Sequence, residues 1–272
     1  MFNSKFRLLI FFFIFFTAQS CVANRYNTET FKNRFHSIKV NYKVAVNNLK
    51  YVDKKADYEQ YFSDQVLNYA FDCYSKNKRY FNLAEKKYNV SKFVILAVLS
   101  VETYCGHYEP KYQLGEVFKT LIELNRNKKF KKEVYKRVKR KYPYIKKDWF
   151  NKKLIKKYFW AENQLRAVKN IYIKHKIDLL EVKSSWAGAF GLPQFIPTAF
   201  LDFAVDGDGD NKIDLWSIPD AVFSIANYFY KNRWRENSNK KYKIKVIYAY
   251  NHSKLYSQTI YSLSELYQKR LR

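Results

Sequence analysis

The chain has 272 residues, 47% of them hydrophobic and 19% aromatic, with a formal net charge of +27. That is ample apolar material for one large core, or a core with a satellite lobe, and no low-complexity stretch marks a disordered half. No internal repeat is evident, and the charge suggests an anionic partner: nucleic acid, a membrane surface or an acidic wall polymer.

Residues 1–20 read as a secretory signal. Lys5 and Arg7 precede an apolar run from Leu8 to Phe16, and Thr17-Ala18-Gln19-Ser20 follows, ahead of Cys21. The run is shorter than the roughly 20 apolar residues that a bilayer-spanning helix needs. Ala18-Gln19-Ser20 suits ordinary cleavage before Cys21. The small residue before Cys21 equally suits lipid attachment, although Ala18 stands where Leu, Val or Ile is usual, and both routes stay open. The protein is therefore expected outside the cytoplasm, in the periplasm or as an outer-membrane lipoprotein. Without the leader the charge is still +25. Export makes nucleic acid an unexpected partner and leaves an anionic wall polymer or membrane surface. Cys73 and Cys105 then form an even pair, able to bridge or to stay as two buried thiols.

Residues 21–60 are polar and weakly patterned and read as an N-terminal arm to a main domain over 61–272. From Asp64 to Lys87 the pattern is helical: Val66, Leu67, Tyr69, Ala70, Cys73 and Tyr74 recur at three- and four-residue spacings. Ser91 is placed to cap the next helix. In that helix Phe93 to Leu99 and Val101 are apolar on every face, which predicts a central, buried element running into Glu102-Thr103 and stopping near Gly106. Residues 126–157 hold sixteen Lys or Arg against Glu133 and Asp148, interleaved with apolar positions, and predict a helical basic insert with one wet face. A helix through Trp160 to His175 follows, then a small-residue loop over 185–194, an acidic loop over 206–220, an apolar helix from Ala221 to Tyr230 and a Tyr-rich end. No alternating strand pattern stands out. The fold class is mainly α.

Glu102 is the candidate catalytic group. A carboxylate ending an all-apolar helix is desolvated and faces the negative end of the helix dipole, and both keep it protonated nearer neutral pH. That suits a general acid for glycosidic cleavage. Most glycosidases use two carboxylates, yet Glu109 lies beyond Gly106 and Glu116 is further still. One carboxylate suffices if the sugar's own 6-hydroxyl attacks the anomeric carbon, with Glu102 first giving and then taking a proton.

The acidic loop has the opening of an EF-hand calcium site. Asp206, Asp208 and Asp210 occupy positions one, three and five, and Lys212 offers its backbone carbonyl. Asn211 replaces the turn glycine, which a left-handed Asn tolerates. The twelfth residue is Ser217, so the bidentate carboxylate falls to Asp220 in a fifteen-residue loop. A structural Ca2+ is expected, and no cofactor for catalysis.

Val101-Glu102-Thr103-Tyr104-Cys105-Gly106 and Ser185-Trp186-Ala187-Gly188-Ala189-Phe190-Gly191-Leu192-Pro193-Gln194-Phe195-Ile196-Pro197 resemble the membrane-bound lytic murein transglycosylase B family. Ala226-Asn227-Tyr228-Phe229 and Tyr250-Asn251-His252-Ser253-Lys254-Leu255-Tyr256 continue the match in order over roughly 60–272, outside the basic insert. The resemblance implies a lysozyme-like fold and cleavage of the MurNAc–GlcNAc bond of peptidoglycan with 1,6-anhydro ends. It places the acid/base on Glu102 and glycan binding on Ser185, Gln194, Tyr228, Tyr250, Asn251 and Tyr256. Gly188, Ala189 and Gly191 would let a sugar approach the backbone. Cys105 departs from the family's usual aromatic. Two other readings stand beside this one. A lysozyme-type hydrolase needs a second carboxylate or a positioned water. A non-catalytic wall-binding protein has no need of Glu102, Ser185, Gln194 and Asn251 together.

Overall fold

The computed structural model describes residues 25–50 and 58–271; the expected signal, Cys21 and part of the N-terminal arm lie outside them. Among the described residues the chain is mainly helical, and no helix is long and apolar enough to cross a membrane. Helix α1 is Thr28–Ser37, α2 Tyr42–Leu49, α3 Asp64–Tyr88 and α4 Lys92–Thr103. Strand β1 (Tyr112–Gln113) leads into α5 (Leu114–Arg126), then α6 (Lys128–Lys141) and α7 (Lys147–Asn170), which widens into a π turn over Ile171–His175. Strand β2 is Lys183–Ser184, followed by α8 (Pro197–Phe203), α9 (Ile218–Lys231), α10 (Lys240–Tyr250) and α11 (Lys254–Leu271).

Helix α4 is central, as its all-apolar pattern predicts. Ile95, Leu96, Ala97, Val98 and Leu99 are each fully buried, enclosed by α3, α9 and α11. The Ser91 side chain caps it by accepting from the Phe93 N–H. Its last carbonyls are met by the Tyr104 N–H, which donates to Leu99 and Ser100. Tyr104 (φ 48°) and Cys105 (φ 54°) are both left-handed before Gly106 (φ 95°), so the chain reverses sharply just after Glu102.

A second apolar cluster joins α1, α5, α7 and the segment around Phe190, Phe195 and Phe200. Segment 21–60, read as an arm, contributes to it. Phe31 and Phe35 of α1 are buried there, and Val44 with them. Asn41 caps α2 and also donates from its amide to Glu116, while its backbone N–H donates to Thr120. Asn48, 1% exposed, donates to the carbonyls of Val44 and Trp186. These residues form part of the packed domain. Their polar neighbours in the sequence masked a narrow buried face.

The basic segment is helical with one wet face. Phe130, Val134 and Val138 of α6 pack with Ile145, Phe150 and Leu154 against Ala45, Leu49 and Leu124, forming a third cluster. The boundary at residue 157 is not structural, because it falls inside α7, whose later turns pack on α5. The run of lysines ends there, but the helix does not.

Candidate active site

Glu102 sits on the last turn of α4 with its carboxyl partly buried. The Tyr256 hydroxyl, from α11, donates to its Oε1 at 2.6 Å. Burial pushes the Glu102 carboxyl up to about 7, and the Tyr256 hydrogen bond pulls weakly the other way. Among the described residues no second carboxylate acts on it: Glu116 accepts from Asn41 at 3.0 Å, and Glu109 is exposed. Tyr256 is 1% exposed, so it orients the acid from behind and offers no ring face to a sugar.

From Tyr256 an aromatic row leads to the loop that carries Gln194. Its ring stacks on Tyr250 (6.4 Å, 9°), and Tyr250 meets Tyr228 edge-on at 4.7 Å. The Tyr250 hydroxyl donates to the Pro193 carbonyl at 2.6 Å, and so braces the loop instead of pointing at substrate. Burial pushes the Tyr228 hydroxyl up to about 12. Tyr228, Tyr250 and Gln194 line a cavity of about 340 Å³, together with Asp202, Phe203 and His252. Gln194 is left-handed (φ 51°), and its amide donates to the Gly191 carbonyl at 3.0 Å. Asn251 ends α10 with its side chain exposed beside this row.

Ser185 opens the small-residue loop directly after β2. Pairing of Tyr112 with Ser184 and of Gln113 with Lys183 ties that point to the start of α5. The Ser185 hydroxyl accepts from the N–H groups of Ala187 and Ala189, both at 3.2 Å, and holds the turn closed. The two loop glycines serve packing and not close approach of a sugar. A Cβ on Gly188 would lie 2.7 Å from the Phe118 ring, and one on Gly191 would lie 2.4 Å from the Leu215 Cβ. Their empty side is filled by protein.

Two contacts join this loop to its neighbours. The Thr103 hydroxyl donates to the Leu192 carbonyl at 3.1 Å, and the Leu192 N–H donates to the Leu215 carbonyl at 2.8 Å. Sequence reasoning did not single out Thr103, nor Tyr58 and Tyr61, whose rings flank Tyr256 and Tyr104. Burial, then Tyr104 and Glu102, raises the Tyr61 hydroxyl. The signal was available in the V-E-T triplet for Thr103; for the tyrosines it was not, since the chain has 25 of them.

In the acidic loop, carboxylate oxygens of Asp206, Asp208 and Asp220 lie within 4.8 Å of one another. Asp210 does not join them; its Oδ1 accepts from the Lys212 N–H at 2.8 Å. Asn211 takes the expected left-handed conformation (φ 65°). Gly207 has no room for a Cβ, which would lie 2.3 Å from the Pro219 carbonyl oxygen, and its N–H donates to Asp220, so the two ends of the loop pack closely together. A set of hard oxygen donors in so tight a loop fits a calcium ion.

Comparison with known proteins agrees with this architecture. The soluble lytic transglycosylase SltB1 of Pseudomonas aeruginosa is similar with a TM-score of 0.71 at 20% identity, over 92% of this chain and 99% of that one. SltB3 of the same organism, solved with NAG-anhNAM-pentapeptide, gives 0.68 at 17% identity, over 92% and 77%. Escherichia coli Slt35, solved in complex with calcium, gives 0.62 at 19% identity, over 79% and 78%. At these identities the likeness establishes the fold, which is lysozyme-like. In sequence, Escherichia coli membrane-bound lytic murein transglycosylase B is 47% identical over 57 residues, a span of 21% of this chain and 16% of that protein. The pattern of the family described as Transglycosylase SLT domain matches residues 14–246, a run that includes the basic segment and most of the site. The chain belongs to the transglycosylase SLT domain family.

Proposed function

We propose that the protein is a lytic transglycosylase that cleaves the MurNAc–GlcNAc bond of peptidoglycan and leaves 1,6-anhydro-MurNAc ends. The observation that carries this is a lone carboxyl pushed up to about 7 by burial and gripped on one oxygen by Tyr256. Because Tyr256 donates to Oε1, the acidic proton sits on Oε2. Glu102 gives that proton to the glycosidic oxygen as the bond to the anomeric carbon breaks. The 6-hydroxyl of the same sugar then attacks that carbon, and its proton returns to the Glu102 carboxylate. No water is consumed. Ser185, Gln194, Tyr228 and Asn251 are the groups proposed to hold the glycan, with Tyr250 and Tyr256 bracing them. Support also comes from SltB3, solved with NAG-NAM-pentapeptide.

Digestion of peptidoglycan followed by mass spectrometry tests the reading, because anhydro ends are one water lighter than reducing ends. Reducing ends would point instead to a lysozyme-type hydrolase.

A calcium ion held by Asp206, Asp208 and Asp220, with the Lys212 carbonyl and Asp210 completing the loop, would stiffen the segment that leads to Tyr228. It would supply no chemistry to the bond cleavage. We further propose an exported protein, in the periplasm or lipid-anchored at Cys21. Its basic face would hold anionic wall polymer or membrane: Lys128, Lys131, Lys132, Lys136 and Lys147 ring a cavity of about 410 Å³ over Tyr135 and Phe150. Replacing Lys128, Lys129, Lys131 and Lys132 with Gln should weaken binding to intact wall or anionic vesicles at low salt, with turnover of short soluble glycans unchanged.

A further inference from the structure

Behind Glu102 lie two groups that the reaction does not use. Cys73 on α3 and Cys105 in the turn after α4 are free thiols, 6% and 8% exposed, in the same apolar cluster. The turn that holds Cys105 packs directly on α3; the neighbouring Cys73 thiol, and then burial, pushes the Cys105 thiol well above its usual range. The polar group on the other side is Ser100, whose hydroxyl lies 4.0 Å from the Cys105 sulfur and accepts from Tyr267 at 3.0 Å.

The backbone at this point needs support. Tyr104 and Cys105 are consecutive non-glycine residues in the left-handed region, and such conformations persist only where their surroundings hold them. The Tyr104 N–H caps α4, and Thr103 reaches Leu192, so movement of the turn would carry both Glu102 and the Gln194 loop with it.

We propose that Cys73 and Cys105 form a disulfide that fastens the Tyr104–Gly106 turn to α3 and so positions Glu102. The oxidant is a disulfide-bearing compound. One cysteine thiolate attacks it, forming a mixed disulfide and releasing one thiol. The second thiolate then displaces the other half, so that two electrons and two protons leave on the pair of released thiols. Two thiols buried in one cluster, on a helix and a turn that pack together, need only a local shift to reach bonding distance. Burial disfavours the thiolate in the folded protein, so the bond closes during folding, and once made it is shielded from reductants. Its loop spans half of α3 and all of α4, which removes freedom from the unfolded chain. The pair acts through Glu102 and is a positioning device, not a catalytic one.

The test is to refold the full chain in oxidised and reduced glutathione, alkylate it with N-ethylmaleimide in denaturant, and map its peptides. The expected result is a linked peptide containing Cys73 and Cys105, two hydrogens lighter than its parts. Alkylation of both cysteines would overturn the proposal. Reduction should lower the melting temperature by roughly 5–10 °C in the natural protein and leave a Cys73→Ala/Cys105→Ala variant unmoved. An unchanged melting temperature on reduction of the natural protein would overturn the fastening role even if that variant fails to fold. Neither readout uses activity, so both stand if the transglycosylase reading fails. Given that reading, reduction below the melting temperature should lower kcat on a soluble glycan with KM unchanged. An unchanged kcat would overturn the link to Glu102.

Discussion

Glu102 at the end of α4 and Asp206 in the 206–220 loop are both carboxylates, and their surroundings drive them in opposite directions. Glu102 is alone among aromatic rings, receives one hydrogen bond from a side chain, and is held up at about 7 by burial. Asp206 is half-buried and accepts backbone N–H groups from Gly209 and Asn211, at 2.6 and 2.8 Å, which hold it below its usual range. Backbone donors stabilise an anion; an apolar wall stabilises the neutral acid. The first arrangement suits binding a cation, and the second suits moving a proton. The same functional group therefore takes two roles from its neighbours alone.

The sharpest break in that comparison is Glu102→Gln. The amide keeps shape and hydrogen bonding but cannot transfer a proton, so wall lysis should fall by roughly 10²–10⁴ while fold and wall binding survive. Near-normal lysis by the folded variant would remove Glu102 from the reaction. Next in size is the loop. Calcium at a hundredfold excess over its Kd should stabilise the protein by about 2.7 kcal/mol, and Asp206→Ala combined with Asp210→Ala should abolish the shift. Glu102→Gln should retain the shift. A melting temperature indifferent to calcium and chelator would deny the loop a metal.

The remaining test is pH dependence. With a folded-state pKa raised to about 7 from an ordinary 4.5, Glu102 costs nothing at low pH, where it is protonated whether folded or unfolded. Stability is lost as pH rises through that window, since folding then opposes ionisation. Glu102→Gln should therefore stabilise the fold by up to about 3 kcal/mol at pH 8 and by almost nothing below pH 4, as read by denaturant titration. Activity of the natural protein should fall as pH rises past about 7. Tyr256→Phe removes the one bond that lowers this pKa and should move the alkaline limb upward by less than about one pH unit. A downward movement would contradict the assigned contact.

Sequence made the local features legible. The Ser91 cap, the buried helix and the acid at its end follow from residues within a few positions of one another. Contacts across the chain were not legible in this way. Tyr256 lies 154 residues from Glu102, and nothing in a Y-N-H-S motif distinguishes a ring that stacks on sugar from one that steadies the acid. Gly188 and Gly191 look like room for a ligand until Phe118 and Leu215 are seen to occupy it. In α1 and α2 the buried positions are few and sit among Asn, Lys and Arg, while Asn48, a polar residue, is buried by virtue of a partner at Trp186. Periodicity finds apolar faces, and it overlooks a polar side chain whose hydrogen bonds allow it inside.

Leu192 joins three parts of the molecule within one residue. Its carbonyl accepts from Thr103, its N–H donates to Leu215, and its side chain lies 3.3 Å from where a Cβ on Gly106 would stand. The spacing from Ser185 to Gln194 is consequently fixed from outside the loop. One residue more or fewer would move Leu192 off both hydrogen bonds and shift Gln194 relative to Glu102. Under the proposed function, adaptation of this loop to a different glycan would be open to exchange of side chains such as Ala187 or Ala189, and closed to insertion and deletion. Among diverging descendants of this chain the loop should change in composition while keeping its length.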